Sequence, residues 1–116
     1  LNKQWDYFTE LELQCPCCKK APMNDQFMSK LVKLRRELNF PLHITSGYRC
    51  ASHNKKIGGA AASKHVLGRA VDIALTMPEK DQPKLLASAY YRGLYGQGVA
   101  KTFVHLDDYS PRLWGY

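Results

Sequence analysis

With 116 residues, 45% of them hydrophobic and 23% charged, the chain is sized for one domain, residues 1–116, around one core. It is too apolar and too evenly charged to be a disordered tail, and its apolar runs are too short to span a bilayer. A net charge of +7 and a pI near 9.3 favour anionic surroundings such as nucleic acid, acidic membrane surface or cell-wall polymer. Nucleic acid is not expected among these, because no basic run is interleaved with aromatic residues.

In chain order, Leu1–Trp5 does not read as a signal peptide, although a chain that begins without Met can have lost one by processing. Thr9 and Glu12 have capping-box spacing for a short helical turn, whose aromatic and leucine residues would cover the core. Cys15 to Met23 is loop-like, with prolines at 16 and 22. Asn24 or Asp25 can cap a helix running to about Asn39, with Phe27, Leu31, Leu34 and Leu38 as its apolar stripe. Its basic residues fall mainly on the solvated side, and Pro41 is expected to end it. Leu42–Ser46 reads as a strand, residues 51–57 as one or two helical turns, and Ile57–Ala62 as a small-residue loop, either room for an extended ligand or plain turn chemistry. Thr76 to about Gly93 reads as a helix whose start is blurred by Pro78 and Pro83. Leu85, Leu86, Ala89, Tyr90 and Leu94 form its apolar side.

The chemistry centres on Ser63-Lys64-His65-Val66-Leu67-Gly68-Arg69-Ala70-Val71-Asp72-Ile73. Neutral imidazole and ionised carboxylate are both ordinary Zn²⁺ ligands. Gly68 can take a backbone angle closed to other residues, so a turn there folds His65 back towards Asp72. Beyond it the residues alternate as a strand does: Val71, Ile73 and Leu75 face a core, while Ala70 and Asp72 point the other way. A third ligand is needed. In Lys101–Tyr109, Phe103, His105 and Asp107 share one strand face. His105 leads over His43 and His53, because Asp107 beside it offers a base next to the metal and is the expected general base and acid, the alternative being that Asp107 orients a ligand histidine.

Cys15-Pro16-Cys17-Cys18 is too tight for a pair of C-x₂-C knuckles. With Cys50 these thiols are expected to be buried and structural, a disulfide to Cys50 or a small metal site remaining open.

Assembled, these pieces resemble the M15 family of zinc peptidases, in particular compact phage endolysins and D-alanyl-D-alanine carboxypeptidase-like members. The resemblance is carried by Ser46-Gly47-Tyr48-Arg49, by His53-Asn54 with Gly58-Gly59-Ala60, by Ser63-x-His65-x-x-Gly68-x-Ala70-x-Asp72, and by Phe103-Val104-His105-Leu106-Asp107. It implies an α+β fold of the hedgehog and D-alanyl-D-alanine peptidase type, a small antiparallel sheet flanked by helices. It further implies one catalytic Zn²⁺ held by His65, Asp72 and His105. Arg49 matches the family arginine that steadies the scissile carbonyl, a role suited to a fixed, always-charged fork. Many relatives carry the catalytic acid three residues before the last histidine ligand, where this chain has Thr102. The expected activity is hydrolysis of an amide in the peptidoglycan stem peptide, by an endopeptidase or carboxypeptidase acting as a monomer at the bacterial cell wall. A phage enzyme released at lysis would fit the missing signal. The alternatives are a non-catalytic zinc-stabilised binding module of the same fold and a basic nucleic-acid binder.

Overall fold

The computed structural model describes residues 5–60 and 63–116. Leu1–Gln4, and Ala61 and Ala62 of the small-residue loop, lie outside the described residues. Among the described residues, four helices and five strands follow in the order α1 (Glu10–Leu13), α2 (Asp25–Glu37), β1 (Ile44–Ser46), α3 (Ala51–Lys56), β2 (Ala70–Ala74), α4 (Gln82–Tyr91), β3 (Gly96–Val99), β4 (Phe103–Asp107) and β5 (Arg112–Gly115). A 3₁₀ turn, Glu79–Asp81, leads into α4, so that helix is shorter than its sequence pattern suggests.

The helix starts follow from local chemistry. Thr9 and Glu12 close a reciprocal capping box on α1, and the Asn24 side chain accepts from the Phe27 amide to cap α2. The apolar stripe of α2 is buried through Phe27, Met28, Leu31 and Leu34. The helix ends at Glu37, before Pro41. Phe8 and Leu13 are buried as expected, but Leu11 is exposed because a single helical turn has only one face to bury. Tyr7, ahead of the helix, is exposed with the Arg35 guanidinium over its ring. Tyr90 is likewise exposed, its ring edge-on to Tyr95 rather than in the core.

The strands form one sheet in the order β1-β2-β4-β3-β5. Adjacent strands are antiparallel except β3 and β5, which are parallel. The α+β class expected from the sequence is present, with a mixed sheet instead of a wholly antiparallel one. The reason is a turn at residues 108–111. It reverses the chain after β4, so β5 runs opposite to β4 and therefore alongside β3.

One face of the sheet is apolar. Val71, Ile73, Val104 and Leu106 join Phe27, Leu31, Leu85 and Ala89 in a single core beneath α2 and α4. Strand alternation then places Asp72, His105 and Asp107 on the opposite face. No helix among the described residues is long and apolar enough to cross a membrane.

Candidate metal centre

Two rows of residues across the sheet build the site. In the first, Ser46, Asp72, His105, Gly98 and Trp114 are successive partners on β1, β2, β4, β3 and β5. In the second, Ala70, Asp107, Gly96 and Arg112 are partners on β2, β4, β3 and β5. Asp72 and His105 thus face each other directly across an antiparallel pair. The small residues have a visible cause. A Cβ on Gly96 would overlap the Asp107 carboxylate, and one on Gly98 would overlap the Trp114 indole. Trp114 uses that space to approach His105, with ring centroids 5.3 Å apart.

His65 comes from the turn before β2. Gly68 adopts φ +68°, as the motif requires, and its carbonyl accepts from the Asn24 amide at 2.9 Å. A side chain there would collide with the Pro22 carbonyl, so glycine is demanded both by the backbone angle and by the space. The turn delivers the buried imidazole of His65 onto the strand pair, with Nε2 3.1 Å from Asp72 Oδ1 and 3.3 Å from His105 Nδ1. His105 Nδ1 is itself 3.2 Å from Asp72 Oδ1.

The outer contacts of the rings decide which nitrogens are lone pairs. His65 Nδ1 lies 2.7 Å from the Gly47 carbonyl, which can only accept, so the proton sits on Nδ1 and Nε2 is bare. His105 Nε2 donates to Asp107 Oδ2 at 2.7 Å, leaving Nδ1 bare. Three acceptor atoms therefore converge in a buried spot with no proton among them, an arrangement that calls for a cation. Their separations match the spacing of about 3.3 Å between donors about 2.0–2.1 Å from a tetrahedral Zn²⁺. His65, Asp72 and His105 form one of two groups among the described residues whose ligand atoms cluster closely enough for a metal. His43 is exposed and His53 half-buried, and neither belongs to such a group.

Without a cation the site draws a proton instead. Burial lowers the His105 pKa, but the bonds to the Asp107 and Asp72 carboxylates raise it above the ordinary histidine value. Burial opposes ionisation of Asp72, yet the bonds from His105 and His65 hold its carboxyl well below the usual range.

Asp107 is fully buried, and three donors surround it. Oδ2 takes the His105 bond, while Oδ1 accepts from the Tyr109 amide at 3.0 Å and from Arg112 Nη2. Burial raises its pKa, but these bonds, led by His105 and then Arg112, bring it below the usual carboxylate value. Asp108 turns the other way and forms a bidentate pair with Arg69 at 2.9 and 2.6 Å.

Arg49 reaches the metal site from the corner after β1, its Nη2 3.2 Å from Asp72 Oδ2. Nε donates to Ser46 Oγ at 3.2 Å and Nη1 to Asn54 Oδ1 at 3.3 Å. Among the described residues, one hydrogen on each terminal nitrogen is left over. Asn54, buried on α3, also donates to the Ala60 carbonyl at 2.8 Å, and a Cβ on Gly59 would overlap it. The Asn54 and Gly58-Gly59-Ala60 motif therefore fastens the loop to the arginine. That loop, Arg49, the three ligand side chains and Lys64 line a cavity of about 470 Å³ whose far wall is Phe103, Arg112, Trp114 and Tyr116. Sequence reasoning did not pick out Arg112, Trp114 or Tyr116, although their period-two spacing was a usable signal. Thr102 is exposed just before β4, its carbonyl accepting from the Leu75 amide at 2.9 Å.

Residues 6–107 match the model of a family described as Peptidase M15. No curated protein gives a significant match. The matched span includes His65, Asp72, His105 and Asp107, and stops before the Arg112–Tyr116 wall. It covers well over half of the chain, which therefore belongs to the Peptidase M15 family and is a peptidase by that membership.

Proposed function

We propose that this chain is a zinc-dependent peptidase that hydrolyses an amide bond in the peptidoglycan stem peptide, as an endolysin or a D,D-carboxypeptidase-like enzyme. The observation that carries the metal is the convergence of His65 Nε2, Asp72 Oδ1 and His105 Nδ1 as three bare acceptors. Bound there, Zn²⁺ supplies Lewis acidity at the scissile bond and makes water nucleophilic near neutral pH.

The chain's own residues supply the rest. Arg49, pinned by Ser46, Asn54 and Asp72, lines the cavity with N–H groups that no other described residue engages. There it steadies the scissile carbonyl as negative charge develops on the oxygen. Trp114, Tyr116 and Phe103 give the peptide an apolar wall, and Lys64 on the facing side suits a substrate bearing carboxylates. Among the described residues, Asp107 is the one carboxylate besides Asp72 that lines the cavity. With three donors on its oxygens, its role is to hold His105 in the ligating tautomer, and the general-base role expected from sequence competes with that one. The net charge of +7 supports residence at an anionic wall.

A second reading, zinc binding without turnover, is favoured by Thr102 at the family's acid position and by the full occupancy of Asp107. Incubating the zinc-loaded protein with purified peptidoglycan and weighing the released fragments separates the two. New stem-peptide ends that vanish after chelation support the peptidase, and intact wall with zinc still bound would leave the binding module.

A further inference from the structure

The second close group of metal-ligating atoms lies outside the catalytic site. The sulfurs of Cys15, Cys18 and Cys50 all lie within 4.8 Å of one another, and Cys17, exposed, belongs to the same loop but lies outside that close group. All four thiols are free. Cys15 and Cys50 sulfurs are 3.7 Å apart, far beyond the roughly 2.05 Å of a disulfide. The same distance is the edge of a thiolate tetrahedron, since bonds of about 2.3 Å to a central Zn²⁺ place sulfurs about 3.8 Å apart.

The backbone is arranged for sulfur that carries negative charge. The Cys50 amide donates to Cys15 Sγ at 3.5 Å, and the His53 amide donates to Cys50 Sγ at 3.4 Å where Cys50 caps α3. The Cys15 loop is closed on itself by two hydrogen bonds of 2.8 Å, from the Cys15 amide to the Lys20 carbonyl and from the Lys19 amide to the Cys15 carbonyl. Lys19 takes φ +60° to make the turn. Cys15 and Cys18 have the C-x₂-C spacing usual for paired zinc ligands, and Cys50 adds a thiol from a helix start elsewhere in the chain. Cys17, in the same loop, is the remaining thiol for a fourth position.

We propose that Cys15, Cys17, Cys18 and Cys50 hold a second, structural Zn²⁺ that clamps the N-terminal loop to the corner between β1 and α3. Each thiol gives its proton to solvent as the ion binds, with no change of oxidation state. The clamp acts on the catalytic corner. The Leu13 carbonyl accepts from the Tyr48 amide at 2.9 Å, and Gly47 packs so closely on the Leu13 backbone that a Cβ would overlap it. Gly47 in turn supplies the carbonyl that fixes the His65 tautomer, and Arg49 adjoins Cys50. Loss of the clamp therefore loosens both.

The test removes the catalytic site first. A His65→Ala, His105→Ala double variant, purified reduced with zinc supplied, is expected to hold about one zinc per chain, with its four cysteines slow to react with maleimide until a chelator is added. In the otherwise unaltered chain, Cys15→Ser or Cys50→Ser should lower bound zinc from two ions to one. If those variants fail to fold, cobalt substitution of the double variant should give sulfur-to-cobalt charge-transfer absorption, which a site of nitrogen and oxygen donors cannot produce. A zinc-free double variant with freely reactive thiols, an intact mass showing a Cys15–Cys50 disulfide, or cobalt binding without that absorption would each overturn the proposal.

Discussion

Asp107→Asn separates the two roles open to Asp107 without changing its size. The native carboxylate receives donors on both oxygens: His105 on Oδ2, and Arg112 and the Tyr109 amide on Oδ1. Asparagine offers one acceptor oxygen and one NH₂ group. If the oxygen stays with Arg112 and Tyr109, the NH₂ faces His105 Nε2. The ring must then shift its proton to Nδ1, the atom 3.2–3.3 Å from Asp72 and His65, and the ligating lone pair is lost. The opposite orientation leaves two donors facing a donor in a fully buried position, and is the costlier choice.

The variant should therefore bind zinc about 10–100-fold more weakly, the usual cost of disturbing the partner of a ligating histidine, or about 1.4–2.7 kcal/mol. Competition against a chromogenic chelator measures this, and nitrogen-15 NMR of the His105 ring reports the tautomer. Saturating zinc should restore much of the turnover. Unchanged zinc affinity with turnover down by about 10²-fold or more would refute the reasoning and make Asp107 the general base.

Other expectations follow from the same geometry. Alanine at His65, Asp72 or His105 should abolish zinc binding at the catalytic site, while His43→Ala and His53→Ala should keep it, as read by metal content per chain. In metal-free protein the raised His105 pKa contributes stability that is complete below the unfolded value of about 6.5 and is lost as pH rises through the folded value. Zinc takes the nitrogen that would otherwise bind that proton, so the rise in Tm on adding zinc should grow from about pH 6 to about pH 8, and a constant or shrinking rise would count against the ligand set. Gly98→Val should displace Trp114 from the cavity wall, with a stability cost of about 1–3 kcal/mol and a fall in kcat/KM, while tryptophan fluorescence reports the move.

The parts legible in the sequence are those set by neighbours along the chain. The capping residues of α1 and α2, the apolar stripe of α2, the turn at Gly68 and the alternation of β2 and β4 all follow from local pattern, and each is present. The strand Gly96–Val99 is not legible in the sequence, because glycine is a poor strand former and Gly96 and Gly98 add no apolar alternation. They are glycines because Asp107 and Trp114 occupy the space their side chains would fill, a reason that exists only once β4 and β5 are in place. The last strand was missed with it: Arg112, Trp114 and Tyr116 alternate as a strand does, but their role as a cavity wall exists only beside β3.

The same division runs through the site itself. Residue type and spacing single out His65 and His105, but not the nitrogen each one offers. His65 presents Nε2 because Gly47, eighteen positions earlier, accepts from Nδ1. His105 presents Nδ1 because Asp107, two positions later on the same strand face, accepts from Nε2. Reversing either partner would aim a hydrogen at Asp72 in place of a lone pair, with the residues in the motif unchanged. The N-terminal loop bears on this choice although it supplies no ligand to the His65, Asp72 and His105 site. Leu13 packs on Gly47 and thereby holds the carbonyl that selects the His65 tautomer, so the binding competence of the motif depends on a contact its own sequence does not contain.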